Sequence, residues 1–140
     1  MIKYFFSFFI LLHGLIHLMG FAKAFSYGNI TQLTKYISKP MGLLWLLTSL
    51  LFITPIILFL FNKVSWPMVA IIAVVLSQIL IIGSWRDAKF GSIANLIVLL
   101  VAIAAWAIQH FESQFRNDVR SHLQITKATP GDLLTEADIQ

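Results

Sequence analysis

Residues 4–25, YFFSFFILLHGLIHLMGFAKAF, form an apolar run that is long enough to cross a bilayer as one helix. His13 and His17 lie inside this run, and because they are four residues apart, a helix places both on one face. An ionisable residue at that depth in a membrane is costly and is by default a hypothesis for a functional site. The run therefore predicts both a membrane fold and the first candidate site.

The composition of the whole chain agrees with a membrane protein. Of 140 residues, 59% are hydrophobic and 11% are charged, whereas about a quarter of a soluble domain is charged. A chain this short cannot bury so much apolar surface away from water, so the lipid bilayer is the expected partner. The net charge is +4, but the basic residues lie at the ends of the apolar segments. They are typical of lipid-headgroup anchors, and we expect no nucleic-acid binding.

A secretory signal peptide is the alternative interpretation of the N-terminus. Lys3, the apolar run and the small residues around Lys23 in Ala22-Lys23-Ala24 resemble such a peptide with its cleavage site. The length of the run, its two histidines and the lysine inside the cleavage motif favour a retained helix.

Four apolar segments predict an all-α fold, a four-span transmembrane helix bundle with an amphipathic C-terminal helical extension. Each segment is close to the ~20 residues that a bilayer requires. The predicted helices cover about residues 3–27, 41–61, 66–85 and 92–111, which together form a transmembrane domain at 1–111. Between the first two helices, residues 28–40 form a polar connection in which Ile30, Leu33, Tyr36 and Ile37 suggest a short interfacial helix.

The C-terminal segment, residues 112–140, is predicted to be an amphipathic helix followed by a polar tail. Phe111, Phe115, Val119 and Leu123 recur every four residues among charged side chains, which suits a membrane surface or a partner. Residues 135–138, TEAD, read as the start of a further helix. We therefore expect a continuation that is deleted or separately encoded.

The topology follows in part from the number of spans. An even number places both termini on the same side of the membrane. Lys and Arg are equally numerous at the two ends of the predicted helices, so they do not decide the orientation. A very short N-terminus that carries Lys3 favours cytoplasmic termini.

Polar residues from different helices are predicted to reach one depth, in the half of the membrane near the interhelical loops. At ~1.5 Å per residue, the positions of the two histidines match those of polar residues on the other helices. A loop with three charged residues follows the third helix, just above this level. The candidate ligand-binding or polar cluster is His13, His17, Thr48, Ser49, Gln78, Asn95, Arg86, Asp87 and Lys89.

The histidines allow three interpretations. In the first, they hold a metal or haem, handle protons or bind a quinone, and His13 and His17 are the metal ligands. Zinc, however, needs further His, Cys or carboxylate ligands, and the chain has no cysteine. A haem would need a dimer or a methionine ligand such as Met19 or Met41. Alternatively, both histidines are neutral and bond across helices to Thr48, Ser49 or Gln78. The third interpretation is a lipid or other small molecule bound in a cleft near the loops.

No motif of an enzyme accompanies this cluster. The sequence has no Ser-His-Asp set, no phosphate-binding loop and no paired buried carboxylates. It requires no cofactor. The composition and the cluster favour a small integral membrane protein that acts as a membrane anchor or a binding module for a soluble domain, a partner or a lipid-like ligand. The alternative is a redox or transport subunit that uses His13 and His17, and a homo-oligomer is compatible with both functions.

Three stretches resemble a bacterial membrane-protein family known as a domain of unknown function. They are HGLIHLMGFAKAF (13–25), KPMGLLWLL (39–47) and LSQILIIGSWRDAKFGSIAN (76–95). In that family a four-helix membrane region precedes a soluble C-terminal domain, and LTEAD (134–138) is similar to the junction. The resemblance implies a bacterial protein of the cytoplasmic (inner) membrane whose soluble domain or partner is encoded nearby. It implies no known activity, cofactor or catalytic residue.

Overall fold

The computed structural model describes residues 1–128, with side chains through residue 124. Within that range it is helical, without strands, and the prediction of an all-α helical bundle is confirmed. The helices are α1 (Ile2–Ala24), α2 (Lys39–Leu60), α3 (Trp66–Gly83), α4 (Trp85–Ala88) and α5 (Gly91–Ala128). The predicted helix start at 135–138, the junction motif and the polar tail lie outside the described residues.

Four of these helices are long and apolar enough to cross a membrane. They are α1, α2, α3 and α5, the last of them over Gly91–Gln124. The chain is accordingly a multi-pass membrane protein. The remaining helix, α4, is a single turn inside the segment that the sequence predicts to be a loop.

The chain divides into two compact units, Met1–Trp106 and a second unit that begins at Ala107. The helix α5 runs through this boundary and continues to Ala128. In the second unit, the predicted stripe of Phe111, Phe115, Val119 and Leu123 is exposed. The first unit contains the candidate site.

The main core of the first unit joins α1, α2, α3 and α5. Ile10 and Phe52 are completely buried there, together with Val98 and Ala102 of α5. The helices α1 and α2 approach closely at Gly14, where an added Cβ would lie 2.9 Å from Cβ of Phe52. Small residues at such positions allow membrane helices to pack backbone against backbone.

Two of the four tryptophans lie in the interior. All four fall near the ends of the predicted apolar segments, where tryptophan is typical of an aromatic belt at the membrane interfaces. Trp45 and Trp66 are nevertheless buried, at 3% and 5% exposure, whereas Trp85 and Trp106 are about half exposed. Trp45 therefore belongs to the packed interior near the loops.

The connection between α1 and α2 differs from its prediction. The helix α1 ends at Ala24, three residues earlier than expected, because Ser26 and Gly28 take positive φ values of 58° and 95°. Residues 25–38 contain no helix, so the predicted interfacial helix is wrong. The cause is that side chains occupy the backbone groups that a helix would pair: Lys23 Nζ donates to the carbonyls of Ile30 and Leu33.

Candidate functional site

The two histidines of α1 face the interior of the bundle. His13 and His17 are 4% and 1% exposed, and their ring centroids are 5.1 Å apart. Phe52 of α2 packs against both rings: it stacks on His17 at 5.5 Å and meets His13 edge-on at 4.9 Å. Trp45 lies 5.2 Å from His17. Aromatic packing therefore fixes both imidazoles.

Hydrogen bonds connect these rings to α3 and α5. His13 Nε2 lies 2.8 Å from Asn95 Oδ1, and His17 Nε2 lies 2.9 Å from Ser77 Oγ. Ser77 Oγ in turn donates to Asn95 Oδ1 at 3.0 Å. Asn95 is therefore the residue at which α1, α3 and α5 are joined.

The same chain of bonds continues towards the loops. Asn95 Nδ2 donates to Gln78 Oε1 at 3.0 Å, and Gln78 Nε2 donates to Ser92 Oγ, also at 3.0 Å. We call these six side chains the polar network: His13, His17, Ser77, Gln78, Ser92 and Asn95. A connected network of this kind joins helices in an apolar layer, because each of its hydrogen bonds pairs polar atoms that would otherwise be costly to bury.

The residues of α2 that the sequence places in the cluster do not join the network. Thr48 donates to the carbonyl of Leu44 on its own helix, at 2.8 Å. Ser49 is completely buried, and its Oγ has no hydrogen-bond partner among the described residues. The predicted contacts of the histidines with Thr48, Ser49 or Gln78 are thus replaced by contacts with Ser77 and Asn95.

The charged residues after α3 take separate positions at the loop end, by which we mean the end of the bundle that carries residues 25–38 and 84–90. Asp87 accepts from the backbone N–H of Thr34 at 2.7 Å and from that of Lys35 at 3.2 Å. The Thr34 hydroxyl also donates to its carboxylate, at 2.8 Å. Arg86 is exposed, and Lys89 Nζ lies 5.4 Å from the ring centroid of Phe90.

Asp87 thereby fastens the α1–α2 connection to α4. The Thr34 hydroxyl is the main cause that lowers the pKa of the Asp87 carboxyl below its ordinary value, and the N–H groups of Lys35 and Thr34 and the charge of Arg86 act in the same direction. Lys35 Nζ adds a second link by donating to the carbonyl of Gly83 at 2.7 Å.

A cavity of about 310 Å³ lies beneath this connection. His13, His17 and Asp87 are among its polar lining residues, and most of the remaining wall is apolar. Its principal apolar lining residues are Ile16, Met19, Trp45, Ile81, Phe90 and Ala94. This is the small end of the ~300–1,000 Å³ range of ligand pockets.

The cavity and the network include residues that the sequence reasoning missed as site residues. Ser77 was recognisable by its depth, which matches that of His17. Trp45 was recognisable only as an aromatic residue near an interface. Nothing in the sequence distinguishes Ile81, Phe90 or Gly91 from other apolar or turn residues, because their role depends on how α3 and α5 are rotated.

The described part of the chain has no group of three or more His, Cys, Asp or Glu side chains that is arranged to hold a metal ion. His13 and His17 each use Nε2 within the network. That they bind metal, haem or quinone, or handle protons, stays a prediction.

Fold and site together define the class: a multi-pass helical membrane protein with a buried histidine network and a cavity at its loop end. Comparison with family models, with curated proteins and with solved structures finds no match for this chain.

Proposed function

We propose that this protein is a membrane-embedded binding module that takes up a small lipid-like molecule in the cavity at its loop end. The observation that supports this is the composition of the cavity wall. Most of its lining residues are apolar and come from several helices, while its few polar lining residues include His13, His17, Gln32 and Asp87. A mostly apolar pocket with a few polar groups is the usual form of a small-molecule site.

Access from the bilayer is consistent with the exposure of two lining residues. Ile16 of α1 is 55% exposed and Phe90 is 73% exposed, although both line the cavity. An apolar ligand that is dissolved in the membrane would therefore meet the cavity between α1 and the start of α5, without having to cross the headgroup layer.

The setting of this function is also a proposal. The resemblance noted above supports a bacterial inner membrane and a soluble domain or partner that is encoded nearby. The four spans support termini on the same side, and the lysine of the short N-terminus favours the cytoplasm. The ligand-binding region would then act as the membrane-embedded part of a larger assembly.

The test compares two alanine-to-leucine variants of the full chain. Ala94 lines the cavity, so Ala94→Leu reduces its volume, whereas Ala104→Leu makes the same change on an exposed face of α5. Native mass spectrometry of protein extracted in mild detergent, followed by analysis of the released molecules, should find a bound lipophilic compound. The wild type and Ala104→Leu should retain this compound and Ala94→Leu should lose it. Equal retention by both variants would refute binding in the cavity.

The same preparation tests the alternative redox or transport role. A Soret band or stoichiometric metal that disappears in a His17→Phe variant would replace the proposal by that alternative. A colourless, metal-free sample with a bound lipophilic compound would favour the binding module.

A further inference from the structure

We propose that the cavity selects lipophilic molecules whose polar end donates a hydrogen bond, such as a phenol or an alcohol, over molecules of the same shape that can only accept. This inference rests on the proposed function and adds the chemical class of the ligand. It follows from the direction of the hydrogen bonds in the polar network.

The direction can be traced from Asn95. Its amide Nδ2 donates to Gln78 Oε1, so its Oδ1 is the atom near His13 and Ser77. A carbonyl oxygen has no hydrogen, so both neighbours must donate to it. Ser77 has a single hydroxyl hydrogen, which this bond uses. Its oxygen must therefore accept from His17 Nε2.

Both imidazoles consequently carry their hydrogen on Nε2. In a neutral imidazole the other nitrogen, Nδ1, then has a lone pair and acts as an acceptor. Protonation of His17 would create a second N–H at Nδ1, which is buried and has no hydrogen-bond partner within the described chain. An unpaired charged donor in an apolar layer is costly, so the neutral form is favoured.

The reverse direction of these hydrogen bonds is disfavoured because it also leaves a buried N–H group without an acceptor. If both amides were turned round, Asn95 would donate to His13 and Ser77, and Ser77 would donate to His17 Nε2. His17 would then carry its hydrogen on Nδ1, where the described residues offer it no acceptor. Buried N–H groups without a partner are rarer than acceptors without one. The network therefore favours hydrogen on Nε2 in both histidines. Because Nδ1 of His17 is itself enclosed by the protein, His13 is the imidazole that can accept from a ligand in the cavity.

The other polar lining groups add to this preference. Asp87 contributes a carboxylate, which only accepts. The Cε1 atom of His13, which is bonded to both ring nitrogens, lies 3.7 Å from the position of a Cβ on Gly91, and Gly91 lines the cavity. Gln32, whose amide both donates and accepts, and Trp45, whose indole N–H only donates, are the exceptions. A hydroxyl group suits this wall because it can donate to His13 and also accept from such a donor. A neutral donor fits best, because a charged amine would lose its hydration in the apolar wall.

The binding test uses two probes that differ in one hydrogen-bond donor, 4-hexylphenol and its methyl ether 4-hexylanisole. Their affinities for the full chain in nanodiscs are measured by titration and expressed per mole fraction in the bilayer, which removes the difference in partitioning. We expect the phenol to bind about tenfold more tightly, which corresponds to ~1.4 kcal/mol. His13→Phe keeps an aromatic ring and removes the acceptor in the cavity wall, so it should reduce the ratio towards one.

A second measurement reads the tautomers directly. Nitrogen-15 NMR of histidine-labelled protein should show His13 and His17 as neutral rings with hydrogen on Nε2, and the phenol should shift the Nδ1 signal of His13. Hydrogen on Nδ1 of either residue would overturn the inference. Equal affinity of the two probes, or tighter binding of the ether, would overturn it while leaving the proposed function intact. If neither probe binds and no compound copurifies, both the inference and the proposed function fail.

Discussion

Gly20 of α1 lies directly against the indole of Trp45 on α2, so that a Cβ at position 20 would be 2.1 Å from Cδ2 of that ring. The same tryptophan is 5.2 Å from His17 and forms part of the cavity wall. The close approach of α1 and α2 at Gly20 therefore sets the position of Trp45 in the cavity wall and of the His17 ring beside it.

Gly20→Ala should destabilise the protein by ~1–3 kcal/mol, because overpacking forces the rigid indole or the helices to move. The measurement is the free energy of unfolding in detergent. Gly83→Ala is the matched control, since the described residues leave open space around a Cβ at that position. An equal loss of stability in both variants would contradict the prediction.

Asn95→Ala should cost about 2 kcal/mol of stability. The substitution removes three hydrogen bonds, to His13, Ser77 and Gln78, and interhelical bonds in membranes average ~0.6 kcal/mol each. Unfolding by a denaturing detergent measures the effect. The same substitution at the exposed Asn29 should change stability by less than ~0.5 kcal/mol. A loss at position 95 as small as that at position 29 would show that the network contributes little.

The bond between His17 and Ser77 can be isolated by a double-mutant cycle. The variants His17→Phe and Ser77→Ala should show a coupling energy of ~0.6 kcal/mol, since their side chains are 2.9 Å apart in the structure. A parallel cycle of His17→Phe with Thr48→Ala should give a coupling near zero, because the Thr48 hydroxyl bonds to its own helix. Stronger coupling to Thr48 than to Ser77 would mean that α2, and not α3, provides the partner of His17.

These contacts show how much of the fold and of the candidate site follows from segment length and from the level of each residue along its helix. The lengths and composition of the apolar segments predict the four long helices, because a bilayer requires ~20 apolar residues for each span. The level of the histidines relative to Ser77, Gln78 and Asn95 follows from the rise of a helix, ~1.5 Å per residue. The inward direction of the histidines follows from the cost of an imidazole in lipid.

The choice of partners depends on helix rotation, which the sequence does not specify. Ser77 and Gln78 are adjacent in sequence, but they point ~100° apart around α3, so only one of them faces His17. The close approach of α1 to α2 was likewise not predicted. It occurs at Gly14, Gly20 and Gly42, whose added Cβ atoms would all meet the facing helix or the chain that follows it. The path of residues 25–38 was not predictable, because it depends on hydrogen bonds with the side chains of Lys23 and Asp87. Asp87 is distant in sequence from the connection that it binds.

The link between Asp87 and the α1–α2 connection should depend on pH only in acid. The pKa of Asp87 is lowered from its ordinary value of 3.8 in the folded protein, first of all by the Thr34 hydroxyl. A lowered folded-state pKa means that the bonds to Thr34 and Lys35 are fully present above pH ~4 and are lost as the pH falls through that lower pKa. A spin label on Gln32→Cys, beside the cavity, should therefore show constant mobility from pH 8 to pH 5 and greater mobility only below about pH 4. The same label in an Asp87→Asn background should be mobile at every pH, because the amide cannot accept the same set of bonds. Release of the connection above pH 5 in the Asp87 protein would mean that another group controls it.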